Sequence, residues 1–95
     1  MRSYELMMVV RPDLEEEATK AVVEKAKGII TTGGGVVEKE DLWGKRRLAY
    51  EIRNFRDGYY AVLNFRAGTE VPKELDRVLR ITDEVIRHII VRPEE

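Results

Sequence analysis

Hydrophobic and polar positions recur with two different periods along this chain. From Tyr4 to Val10 the period is two. Tyr4, Leu6, Met8 and Val10 fall on one side, and Glu5, Met7 and Val9 on the other, which predicts a strand. Arg11-Pro12-Asp13 ends it. Asp13 is then the expected N-cap of a helix, with Glu16 three residues on completing an acidic capping box. Leu14, Ala18, Ala21, Val22, Ala26, Ile29 and Ile30 recur at helical spacing and predict one apolar stripe reaching about Thr32. Gly33-Gly34-Gly35 stops that helix and permits a positive φ at its C-cap.

Val36 to Ile52 predicts a long second strand, bent by a bulge at Gly44, with Leu48, Tyr50 and Ile52 sharing a face beyond the bend. Asn54 to Gly58 is the expected turn. Tyr59 to Ala67 is the third strand, with Tyr59, Ala61, Leu63 and Phe65 on one side and Tyr60, Val62 and Asn64 on the other. Thr69 suits the cap of a second helix, Pro72 is tolerated in its first turn, and Val71, Leu75, Val78 and Leu79 form its stripe. After Thr82-Asp83 comes a fourth strand, Val85 to Arg92, and then the acidic tail Pro93-Glu94-Glu95. The order β-α-β-β-α-β is a split-βαβ unit of the α+β class with ferredoxin-like topology. It implies a four-stranded antiparallel sheet with both helices on one face. The first strand is expected to be central, and the second face has no cover from this chain. Residues 1–95 are expected to form a single domain, without a linker, a low-complexity segment or any repeat beyond the β-α-β doubling.

Composition narrows the class. The 95 residues are 43% hydrophobic, enough for one core, and no apolar run approaches the ~20 residues that span a bilayer. The start, Met-Arg-Ser-Tyr-Glu, lacks the apolar stretch of a signal peptide, and Cys is absent. These features point to a cytoplasmic protein with no membrane partner. The net charge of −1 hides an asymmetry. Asp13 to Asp41 holds eight acids against four lysines, whereas Lys45 to Arg66 holds six bases against Glu51 and Asp57. Arg outnumbers Lys by 11 to 6, and Arg is the better partner for phosphate; a surface rich in ion pairs is the plainer explanation for any one Arg.

The means for catalysis are scarce. There is one Ser, Ser3, and one His, His88. His88 is in period with Ile86 and Ile90, which predicts a packed or hydrogen-bonded side chain rather than a catalyst. A His with scattered carboxylates is too little for a metal site, so no cofactor and no small-molecule substrate are expected. The acids of the first helix read as a solvated face near the positive end of its dipole. Phosphate-cradling glycines precede a helix, whereas Gly33 to Gly35 follow one. An acylphosphatase would need a glycine-containing phosphate loop after the first strand. Here that loop is Val10-Arg11-Pro12-Asp13-Leu14, with no Gly and with an acid. A small-ligand regulatory domain of the same topology is the alternative class.

The positive signals are Arg residues and aromatics. Lys45-Arg46-Arg47 flanks the expected bulge, and three successive bases on a strand must project to both faces. Arg87 alternates with His88 and so falls on the open face with Met7, Val9, Tyr60, Val62, Ile89 and Val91. Arg2 leads into the central strand; Arg80 closes the second helix, where a cation also suits the dipole. An apolar face with basic margins usually marks a binding surface. Gly58-Tyr-Tyr-Ala-Val-Leu-Asn-Phe65 is loosely similar to an RNA-recognition motif, but only Tyr60 of its aromatics points outward, so stacking of several bases is not supported. Protein docking on the apolar part, with Arg contacts to phosphate, fits better.

Five segments resemble one family in order and spacing. They are Met1-Arg2-Ser3-Tyr4-Glu5, Arg11-Pro12-Asp13-Leu14, Gly44-Lys45-Arg46-Arg47-Leu48-Ala49-Tyr50-Glu51-Ile52, Asp57-Gly58-Tyr59-Tyr60, and Leu79-Arg80-Ile81-Thr82-Asp83-Glu84-Val85-Ile86-Arg87. The chain resembles the bacterial small-subunit ribosomal protein six family over essentially its whole length, most specifically at Arg-Arg-Leu-Ala-Tyr. The resemblance implies a ferredoxin-like fold, no enzymatic activity and a place in the ribosome. It also implies binding to the central domain of small-subunit ribosomal RNA as a heterodimer with ribosomal protein eighteen. Under it, Arg2, Lys45, Arg46, Arg47, Tyr60, Arg80 and Arg87 are the expected contacts with RNA or the partner. Tyr4 and Tyr50 are weaker candidates, Tyr50 being expected in the core.

Overall fold

The computed structural model describes residues 1–93; Glu94 and Glu95 of the expected acidic tail lie outside the described residues. The elements run β1 (Arg2–Val10), α1 (Glu16–Thr32), β2 (Val36–Ile52), β3 (Phe55–Ala67), α2 (Glu70–Arg80) and β4 (Val85–Val91). The sheet order is β2-β3-β1-β4 and every pairing is antiparallel, so β1 and β3 are central. Tyr4, Leu6, Met8 and Val10 of β1 join Ala61, Leu63 and Phe65 of β3 beneath Val22, Val23, Ala26 and Ile30 of α1 and Val71, Leu75 and Leu79 of α2. The period-two alternation thus sends one face of the sheet under both helices.

Local starts and stops differ from expectation. Helix α1 is capped by Glu15 in extended conformation, without a side-chain capping bond. Asp13 instead accepts from Arg11 at 2.9 and 3.1 Å, so a cross-loop ion pair replaces the capping box. The buried stripe of α1 is Thr19, Val22, Val23, Ala26 and Ile30, while Ala18 and Ala21 are exposed. Alanine is small enough to sit on either side of a stripe's edge, and the Thr19 hydroxyl can enter the core because it donates to the Glu15 carbonyl. Positive φ falls on Gly34, not on the C-cap Gly33. Thr69 does cap α2 in position, yet its hydroxyl makes no capping bond. Val78 is only half-buried, and β4 ends at Val91.

The β2–β3 hairpin departs furthest. Its turn is Arg53-Asn54, both at positive φ (49° and 68°) and flanked by the pair Ile52 and Phe55. Positive φ at both central residues is the two-residue turn whose twist suits a hairpin. Asp57-Gly58, expected in the turn, lies inside β3. Gly58 is there because of close approach: a Cβ would collide with Val9 Cγ1 and touch Leu48 Cδ2. The bulge at Gly44 is present, with φ +82° and a register shift between Leu42 and Gly44. A larger irregularity follows, where β2 runs from Arg47 to Ile52 while β3 covers only Asp57 to Phe55. The surplus lets β2 bow over the sheet, so Leu48 is buried and Val9, on the nominally open face, is only 3% exposed. The open face is therefore partly covered by the chain itself.

Candidate functional site

The remainder of that face is a groove of about 370 Å³ across β1, β3 and β4. Met7, Val9, Ile89 and Val91 form its floor, Tyr60 one wall, and Arg87 and Glu5 its polar ends. The register explains the grouping. Val9 pairs with Tyr60 on β3 and Arg87 on β4, whereas Glu5 pairs with Asn64 and Val91. Large apolar side chains stay in solvent here, Ile89 being 47% exposed. A second hollow of about 440 Å³ lies between the helices around Ile29, Gly33 and Val71, away from every expected contact residue.

Of the seven expected contacts, the fold gathers Arg46, Tyr60 and Arg87 on the open side. Tyr60 stacks on Trp43 with ring centroids 5.9 Å apart and planes 12° off parallel. The Arg46 guanidinium lies 5.7 Å from the Trp43 ring and donates to the Trp43 carbonyl. Trp43 is the extra residue of the bulge; without the Gly44 turn its ring would not lie over β3. Strand alternation alone did not single it out. Arg87 donates to the Tyr50 hydroxyl at 3.1 Å. Tyr50, expected in the core, is 62% exposed, because the bowed segment of β2 breaks the period that joined it to Leu48.

The other four lie elsewhere. Lys45 and Arg47 are exposed on the edge strand opposite Tyr59 and Asp57, on the alternate side from Arg46. Arg2 pairs with Ala67 at the far end of the sheet, in phase with the helix-covered face. Arg80 is tied to the Asp76 carboxylate. The other oxygen of Asp76 meets His88 Nε2 at 2.9 Å. The His88 hydrogen bond and then the Arg80 charge hold the Asp76 carboxyl below the usual carboxylate range. His88 is thus a hydrogen-bonded side chain linking β4 to α2, 13% exposed.

Arg11 is committed as well. It bonds Asp13 and Asp83 and lies 5.3 Å from the Phe55 ring, so the loop after β1 presents a neutralised guanidinium rather than a phosphate cradle. Among the described residues, no group of three or more His, Cys, Asp or Glu side chains could hold a metal ion. No helix among them is long and apolar enough to cross a membrane.

The model of the family described as ribosomal protein S6 matches residues 3–92. The chain belongs to the ribosomal protein S6 family. It is 57% identical over 94 residues to small ribosomal subunit protein bS6 of Clostridium botulinum (strain Hall), covering 99% of this chain and 100% of that one. It is 57% identical over 95 residues to the bS6 protein of Clostridium perfringens (strain SM101), covering 100% of both. Among solved structures, 30S ribosomal protein S6 from Thermotoga maritima superposes with a TM-score of 0.91 at 37% identity, covering 96% of this chain and 86% of that one. Membership of the S6 family carries a structural, non-enzymatic role in the small subunit of the cytoplasmic ribosome. That role takes the place of both the acylphosphatase and the regulatory-domain alternatives.

Proposed function

We propose that the chain acts as a single binding domain that joins small-subunit ribosomal RNA, in its central domain, to ribosomal protein eighteen. The observation that carries this is the uncovered apolar groove with Arg87 at one end and the Arg46–Trp43–Tyr60 stack beside it. An exposed apolar sheet face calls for a protein partner, and guanidinium groups at its margin suit phosphate. Arg2, Lys45, Arg47 and Arg80, spread around the other surfaces, would meet RNA that wraps the edges. The net charge of −1 gives the free chain little bulk attraction to RNA. Binding is therefore cooperative, with the basic partner and the local arginines acting together. Coupling of this kind is typically about 1–3 kcal/mol and is reciprocal between the ligands.

The test is titration of a central-domain RNA fragment with the chain alone, with ribosomal protein eighteen alone and with both. The pair is expected to bind about 5–150-fold more tightly than independent binding allows. Equal affinity of the isolated chain and the pair would refute the scheme.

A further inference from the structure

Glu5 is the feature of the groove that the proposed function leaves unexplained. It is the one carboxylate in the lining, on the central strand, beside an apolar floor of Met7, Val9, Ile89 and Val91. Asn64 Nδ2 donates to Oε2 at 3.2 Å, and among the described residues no hydrogen bond or ion pair reaches Oε1. In the free protein the open groove lets water solvate that oxygen. Any partner that covers the floor strips this water away, and a covered carboxylate without a counter-charge is strongly unfavourable. Phosphate would be repelled there. A cation is the complementary group.

We infer that Glu5 anchors a lysine or arginine of the protein partner, carried on an apolar segment that fills the groove between Tyr60 and β4. The inference rests on the protein-partner half of the proposed function. A lysine or arginine fits doubly, since its methylene stem can lie along Val91 and Ile89 while its head reaches Oε1. Arg87 is four residues away in register, opposite Val9, roughly 13 Å along the strand. It stays available at the other end for an acid of the same segment or for phosphate. The two ends thus have opposite charge, which sets the direction in which a segment lies in the groove.

The experiment measures binding of purified ribosomal protein eighteen, and separately of the RNA fragment, to the wild-type chain and to Glu5→Gln and Glu5→Lys. Glu5→Gln keeps an oxygen for Asn64, so the Tm of the free chain should not move. Its affinity for the partner is expected to fall by at least about tenfold, and that of Glu5→Lys further. Changing one lysine or arginine of the partner to glutamate should restore binding to Glu5→Lys. If Glu5→Gln binds the partner as tightly as wild type, the inference is wrong and the proposed function stands. If Glu5→Lys gains RNA affinity while partner binding is unchanged, the groove holds RNA and the inference is equally wrong. If the wild-type chain forms no complex with the partner, the proposed function fails first and takes the inference with it.

Discussion

Gly58 has the packing that a turn glycine lacks, with Val9 and Leu48 where a side chain would begin. Gly58→Ala is expected to cost about 1–3 kcal/mol, the range for an overpacked core, and urea denaturation should register it as a lower midpoint. Asp76 gives a prediction in pH. Its folded-state pKa is lowered, first by the His88 hydrogen bond, so its contribution is complete above the ordinary carboxylate range and is lost as pH falls through the folded value. Asp76→Asn should therefore melt below wild type at neutral pH. The difference should shrink as pH is taken from about 5 toward about 2, below the ordinary Asp pKa of about 3.9. Thermal melts across that window check both the sign and the position of the change.

Among the elements, the β2–β3 hairpin acts as an arm rather than a flat pair of strands. Its tip is fastened across the sheet: Arg53 donates to the Asp83 carboxylate at 3.3 Å and to the Asp83 and Val85 carbonyls at 3.0 Å. Asp83 also receives Arg11 at 2.9 Å, so one carboxylate gathers the hairpin, the β1–α1 loop and the α2–β4 turn. The fastening holds a turn in which a non-glycine residue sits at φ 49°, and it keeps Tyr50 within reach of Arg87. Asp83→Ala is expected to speed amide exchange over residues 50–56 while β1 and the inner part of β3 keep their protection. Uniform acceleration would mean that the hairpin is not a separately stabilised unit. The arm was only half legible in the chain. Its long strand and the bend at Gly44 follow from pattern, but Asp57-Gly58 carries a stronger turn signal than Arg53-Asn54. Only the contact with Val9 explains why the glycine lies inside the strand.

For the whole molecule, the two faces differ in chemistry. The helix side balances its charges, with Glu16, Glu24, Glu70 and Glu74 paired to Lys20, Lys27, Lys73 and Arg77 within their own helices. The groove side carries Arg46 and Arg87 on an apolar ground. A protein of nearly zero net charge can then offer RNA phosphate a local pair of guanidinium groups on one face. In the assembled complex, Arg87→Ala should flatten the log–log dependence of RNA affinity on salt by about one. An unchanged slope together with unchanged affinity would remove Arg87 from the RNA contacts and leave its bond to Tyr50 as its role.

Pattern alone was enough for the order of elements, the central place of β1, the core residues of β1 and β3 and the apolar open face. Each rests on the fixed periods of helix and strand, which bind neighbours in sequence to one side or the other. The stacking of Trp43 on Tyr60, the exposure of Tyr50, the engagement of Arg11 and Arg80 by carboxylates and the half-bonded state of Glu5 were not legible. They depend on register shifts and on long-range partners such as Asp83 and Asn64, which no local period encodes. The chain's alternation decides which face of the sheet stays open; the curl of one hairpin decides how much of it remains to be covered by something else.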